Sequence, residues 1–253
     1  MLARLMPRLS HPFGVIKMED LEGRNYYTLL KPRLLEELTQ ILAAGKEVVV
    51  SKYGQEFADE FVFEALNEFE KLIPNIPYIG GDANPFTGQL LFSVQFLAFY
   101  NVMRQKGINK DEGGIVSLKM FRDWLDSLVH SENNAGTSDD DVYLQQLKEW
   151  ASVSQERLYP GDWVYEFYEG DGTDFDVGQD IVECAILKLY REYRMADVVP
   201  YICAMDILLS EAGQSGLHRT KTLAEGGNKC DFRFKIGRKT VVRSTVLVEA
   251  LTD

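Results

Sequence analysis

The sequence is short of histidine and cysteine, with three of each among 253 residues. His11, His130 and His218 are too few and too scattered for a multi-histidine metal centre, and no two of them stand at metal-ligand spacing. Cys184, Cys203 and Cys230 are odd in number and widely spaced, which excludes a disulfide framework and fits a reducing compartment. Long apolar runs are missing as well. The longest, Leu90 to Met103, is interrupted by Ser93, Gln95 and Asn101, and falls short of the roughly 18 residues a membrane-spanning helix needs. Arg4, Pro7, Arg8, His11 and Pro12 break up the first residues, so no signal-peptide core is expected. Positive charge is scarce, with 27 Lys and Arg against 39 Asp and Glu and a net charge of −12. Lys235, Arg238, Lys239 and Arg243 are too sparse to form a basic patch, so an acidic chain of this kind repels phosphate backbones. These absences leave a cytoplasmic protein with a small-molecule partner, no nucleic acid, no membrane and no cofactor motif. Self-association into a homo-oligomer stays open.

What is present reads as an ordinary globular chain, 45% hydrophobic and 26% charged. We expect a single domain over 1–253, with a helical part over 1–153 and an α+β part over 154–253. Pro32 suits a helix start; Leu34, Leu35, Leu38, Ile41 and Leu42 follow at helical spacing, and Gly45 offers a stop. Phe57, Phe61, Phe69, Leu72 and Ile73 mark a second helix closed by Pro74. The Pro- and Gly-rich stretch 74–88 is a loop. Leu90 to Lys106 is apolar on most sides and central, with Gly107 as its cap. Val116 to Val129 and Val142 to Val153 give two more helical patterns around the polar loop Ser131 to Asp141.

The second half changes character. Trp163 to Tyr168 is aromatic-rich and reads as a strand, followed by a turn at Gly170 to Asp174. That turn resembles the start of a calcium loop but has Val182 where the closing acid would stand. Two helices are expected over 179–193 and 196–212. Runs 217–224 and 229–236 flank Gly226-Gly227 as an antiparallel hairpin, which would set Arg219 opposite Phe234 and Thr222 opposite Asp231. Residues 240–251 are β-branched and read as a last strand. Helices, a strand, a helix pair and a hairpin make an α+β fold, with a small antiparallel sheet packed on helices.

No P-loop and no G-x-S-x-G elbow is present. Carboxylates and thiols concentrate instead between Phe175 and Phe232. Asp176 and Asp180 would open the first helix of the pair, and Asp180 and Cys184 would share its face. Cys203 and Asp206 share a face of the second helix, with Ser210 one turn on, so the two polar faces can converge on one pocket. Cys230 falls on the strand face of Phe232, Phe234 and Ile236, where a thiol is usually core. Asp206, between Met205 and Ile207, is either exposed or functional, because an uncompensated buried carboxylate is costly. Arg219 is a candidate anion clamp, and His218 a candidate base.

The strings Phe175-Asp176-Val177-Gly178-Gln179-Asp180, Tyr201-Ile202-Cys203-Ala204-Met205-Asp206 and Arg219 through Phe234, with Cys184 between the first two, resemble the L-2-amino-thiazoline-4-carboxylic acid hydrolase family. The likeness covers about residues 163–236, with a looser echo in 90–106. It implies hydrolytic opening of a cyclic amidine to an N-carbamoyl-cysteine type product. Such a reaction needs a cation for the substrate carboxylate (Arg219), a carboxylate for the protonated amidine (Asp206 or Asp180), and an activated water or thiolate. Cys230 is the first candidate nucleophile and Cys184 the second, with Asp176, Thr222, Cys203 and His218 as further binding residues. Two rivals remain. One is a non-catalytic ligand-binding module similar to the vinyl-reductase type. The other is a three-thiolate metal site of Cys184, Cys203 and Cys230 with Asp206.

Overall fold

The computed structural model describes residues 26–130 and 140–246. The chain is α+β, and its described residues divide into two compact units, those up to Ser127 and those from Leu128 onward.

The first unit is helical: α1 (Tyr26–Leu29), α2 (Lys31–Tyr53), α3 (Gln55–Leu72), α4 (Thr87–Gln105) and α5 (Lys110–His130). Pro32 sits in the first turn of α2 as expected. Gly45 does not end that helix. It is buried where α2 meets Met120, and a Cβ there would stand 2.6 Å from the Met120 Cβ, so this glycine serves close packing. The stop comes at Gly54, whose φ of 88° no helix accommodates. Pro74 turns the end of α3 into a single 3-10 turn. Helix α4 is buried almost throughout, and Phe99 meets Phe61 of α3 edge-on at 5.0 Å.

The second unit holds α6 (Asp140–Gln155), β1 (Val164–Glu169), β2 (Val177–Glu183), α7 (Ala185–Glu192), α8 (Val199–Gly213), β3 (Leu217–Arg219), β4 (Cys230–Phe234) and β5 (Val241–Val242). The strands form one sheet in the order β1-β2-β4-β3-β5. All its pairs are antiparallel except β3–β5, so the sheet is mixed. The expected last strand shrinks to two residues at β5, and 247–251 lie outside the described residues, as do 1–25 and most of the expected loop, 131–139.

Two expectations fail here for physical reasons. Residues 177–183 are a strand, not the first half of a helix. Val177, Ile181 and Val182 suit extended backbone, and pairing on both sides, with β1 and β4, buries Gly178 to Ile181. The helix begins only after Cys184, so Asp180 and Cys184 share no helical face. The hairpin is also wider than a Gly-Gly turn. Asp231 accepts bonds from the Thr220 and Lys221 amides, both at 2.9 Å, and stops β3 at Arg219. The Thr222 carbonyl then takes Gly227 N–H at 2.8 Å and Glu225 N–H at 3.3 Å. Leu217, not Arg219, therefore faces Phe234. A slip of two residues leaves every side chain on its expected face.

Strand alternation separates the functional candidates. The pairs Tyr165–Ile181–Cys230 and Gln179–Phe232 lie on one face, together with Arg219, and α8 packs there. The pairs Glu166–Asp180–Asp231 and His218–Arg233 lie on the other.

Candidate functional site

The site is built around Arg219, the last residue of β3. Its side chain is 0% exposed. Nη1 donates to Asp206 Oδ2 at 2.5 Å, Nη2 donates to the Cys203 carbonyl at 2.9 Å, and the Phe232 ring lies 5.1 Å beneath the guanidinium. Helical spacing in α8 makes this possible, since Cys203 and Asp206 are three apart and face β3 together. Both ends of the guanidinium fork are thus engaged. Nε–H, by contrast, is buried and without an acceptor among the described residues.

Asp206 differs from its partner in keeping 35% of its side chain exposed. Burial among protein atoms raises its pKa above the usual carboxylate value, and the charge and hydrogen bond of Arg219 oppose that rise. The carboxylate is thus both desolvated and still reachable. Cys184 and Cys203 have the same double character: each is partly exposed, yet burial raises its pKa, that of Cys203 well above the usual thiol range. Cys203 senses the charges of Arg219, Asp206, Cys184 and Cys230, and Cys184 senses Asp206. The three thiols, the carboxylate and the guanidinium therefore form one cluster.

The thiols are not equivalent within it. Cys230 is 6% exposed, its sulfur accepts the Leu223 N–H at 3.2 Å, and burial pushes it up to about 12. Cys184 is the N-cap of α7, with extended backbone at φ −114° and ψ 119°. Burial again dominates, but the Leu187 and Ile186 amides and a hydrogen bond from Trp163 favour its thiolate. Ile186 and Leu187 are the second and third residues of α7, where a helix start favours negative charge. The amides act on the sulfur through their dipoles.

The remaining candidates lie elsewhere. Asp180 is on the opposite sheet face, 5% exposed, paired with Lys229 and with Arg233 at 2.9 Å. Burial alone would raise its pKa, and the two cations outweigh that and hold it low. Asp176 accepts from Lys235 Nζ at 2.6 Å and from the Ile236 amide at 3.0 Å, pinning β2 to the end of β4. His218 is exposed on the Asp180 face. Thr222 is buried in the loop, donating to Glu225 Oε2 at 2.8 Å and accepting the Glu225 amide at 3.2 Å. Ser210 accepts the Leu217 amide at 2.9 Å and holds α8 to β3. None of these joins the Arg219–Asp206 cluster. Among the described residues no three His, Cys, Asp or Glu side chains are arranged to hold a metal ion, so the three-thiolate reading lacks its geometry. Sequence reading missed Trp163 and Phe232 as parts of the cluster. An aromatic residue opening a strand carries no signal of its own that distinguishes a thiol donor from core.

The mixed sheet thus buries a paired arginine on the face that carries helices, with thiols around a reachable carboxylate. Residues 89–234 match the model of the L-2-amino-thiazoline-4-carboxylic acid hydrolase family, and these 146 of 253 residues place the chain in that family. The match starts in α4, where the looser echo over 90–106 lies, and ends at Phe234, the last residue of β4. No curated protein and no solved structure matches the chain. The family name points to hydrolysis. Among the described residues no helix is long and apolar enough to cross a membrane.

Proposed function

We propose that the protein hydrolyses a small cyclic amidine, opening a 2-aminothiazoline-4-carboxylate type ring to an N-carbamoyl-cysteine type product. The observation that carries this reading is the carboxylate of Asp206, desolvated yet reachable, held by a buried arginine and flanked by thiols. A protonated amidine is planar, cationic and an N–H donor, and Asp206 Oδ1, which carries no bond from the described residues, is an acceptor of the opposite charge. Protonation makes the ring carbon between sulfur and nitrogen more electrophilic, and a carboxylate in low-dielectric surroundings holds that protonated form better than one in water.

Arg219 takes a different part from the substrate clamp expected of it. Its fork is occupied, so it fixes the orientation of Asp206 and offers one further donor, Nε–H, to an acceptor on the ligand. Asp180 and His218, on the far face of the sheet, stand outside the reaction.

The test is the purified full chain incubated with 2-aminothiazoline-4-carboxylate, with release of a free thiol followed by a colorimetric reagent. Thiol release is expected, and Asp206→Asn should lower it by on the order of 100-fold or more while the variant still melts cooperatively. Binding of the thiazoline without thiol release would replace hydrolysis with the ligand-binding reading.

A further inference from the structure

We propose that Cys184 is the nucleophile of this site, forming a covalent bond to the amidine carbon, with Asp206 receiving its proton. The inference rests on the hydrolase reading above and adds what that reading leaves open, the attacking atom.

Cys184 and Cys203 are both partly exposed, and the Arg219 charge favours a thiolate on Cys203, but only Cys184 combines exposure with hydrogen-bond donors at its sulfur. It is partly exposed, whereas Cys230 is 6% exposed and its sulfur already serves as acceptor for the Leu223 amide. It caps α7, so the amides of Ile186 and Leu187 and the positive end of the helix dipole lie at its sulfur. The Trp163 side chain adds a hydrogen bond. Cys203 is also partly exposed, but it sits mid-helix with no amide free to meet its sulfur, and its own carbonyl is tied to Arg219.

The cluster lacks something that a ligand would supply. Arg219 Nε–H is buried with no acceptor among the described residues, a state that costs free energy until an acceptor arrives. It belongs to the same guanidinium that holds Asp206, and Asp206 is the charge Cys184 senses.

The chemistry balances without any added reagent but water. The Cys184 S–H proton passes to the Asp206 carboxylate, and the sulfur forms a bond to the amidine carbon. The carbon–sulfur bond of the ring breaks, its electron pair leaves on the ring sulfur, and the proton on Asp206 goes to that sulfur to give a free thiol. The enzyme then carries an isothiourea on Cys184. Water adds to the same carbon, the Cys184–carbon bond breaks, and the proton returns to Cys184. The product is a urea, with both nitrogens retained and one water consumed.

Four variants, an acid quench and one chemical probe test this. Cys184→Ser keeps a good capping side chain, so it should fold, and it should lose more than about 100-fold in ring opening. Cys203→Ala and Cys230→Ala, if they melt cooperatively, should still form the covalent adduct on Cys184. Acid quenching during turnover, followed by peptide mass analysis, should find the isothiourea adduct on the peptide holding Cys184. Iodoacetamide, applied without substrate, should modify Cys184 before the other two thiols, and Asp206→Asn should slow that modification. If Asp206 were only a nearby negative charge, removing it would make the thiol more acidic and speed the modification, which would overturn its role as proton acceptor. An adduct on Cys203 or Cys230, or an active Cys184→Ser, overturns the assignment while hydrolysis stands. First modification at Cys184 in a protein that does not open the ring supports the nucleophile and rejects that substrate.

Discussion

Arg219 and Asp206 show how a buried ion pair becomes costly when halved. Arg219 is wholly enclosed, so a neutral residue at 206 leaves a guanidinium charge without its contacting counterion in a region of low dielectric. Removing one member of such a pair typically costs about 3 kcal/mol or more. Asp206→Leu should therefore lower the urea midpoint strongly, and Asp206→Leu with Arg219→Met should recover part of that loss; a double variant no better than the sum of both singles would show that the pair is not coupled. Asp206 was readable in the sequence as a mid-helix acid needing an explanation, and Arg219 as a guanidinium needing a partner. That each is the other's partner was not, because 13 residues and a change of element separate them.

Segment 177–183 shows where local pattern loses to pairing. Alternating and helical readings both suit its residues; two neighbouring strands decide. The connection from α8 to β3 is fixed in a similar way. Gly216 has φ 61°, and a Cβ there would stand 2.0 Å from the Lys235 carbonyl oxygen. Gly226 also has positive φ, at 84°, but open space around it. Gly216→Ala should thus cost clearly more than the roughly 1 kcal/mol expected from the backbone conformation alone, and Gly226→Ala about that amount. Thermal melts of the two variants measure the difference, and equal losses would mean that the loop 235–238 yields freely. Most of the helices α2 to α8 were legible because 3.6-residue periodicity is a local property; the start of α7 was lost to strand pairing, and Gly45 misled because a glycine that admits Met120 looks in sequence like one that ends a helix.

The molecule as a whole carries a net charge of −12, and its carboxylates divide into two sets. Asp180, Asp176 and Asp231 are held low, Asp176 by hydrogen bonds, Asp180 and Asp231 by hydrogen bonds that outweigh burial. Asp206 is raised by burial. A depressed carboxylate stabilises the fold above its unfolded pKa, and that stabilisation is lost as pH falls through its folded value. A raised one does the reverse, favouring the fold at low pH and losing that contribution as pH climbs through its native value. Depressed groups predominate, so stability should fall on acidification below the usual carboxylate range of about pH 4. Urea midpoints against pH should show this, and Asp180→Asn should flatten the curve; an unchanged slope would remove Asp180 from the account. The family segment 89–234 omits α2 and α3, although Phe61 of α3 packs on Phe99 of α4. A chain cut to 89–234 should therefore lose the cooperative melt of the full protein, as followed by circular dichroism.

The sequence by itself determined the α+β class, the helices of the first half, the family and the region where chemistry concentrates. Those follow from composition, short-range periodicity and ordered motifs, all of which are local. Only the tertiary structure decided which candidates meet. Strand alternation sent Asp180 and His218 to one face of the sheet and Arg219 and Cys230 to the other, and pairing on both sides of β2 moved the start of α7 to Cys184. The three scarce cysteines look alike in sequence. Their difference lies in what surrounds each sulfur: a helix end and an indole, a mid-helix turn, or a strand interior. That environment is assembled from residues far apart along the chain.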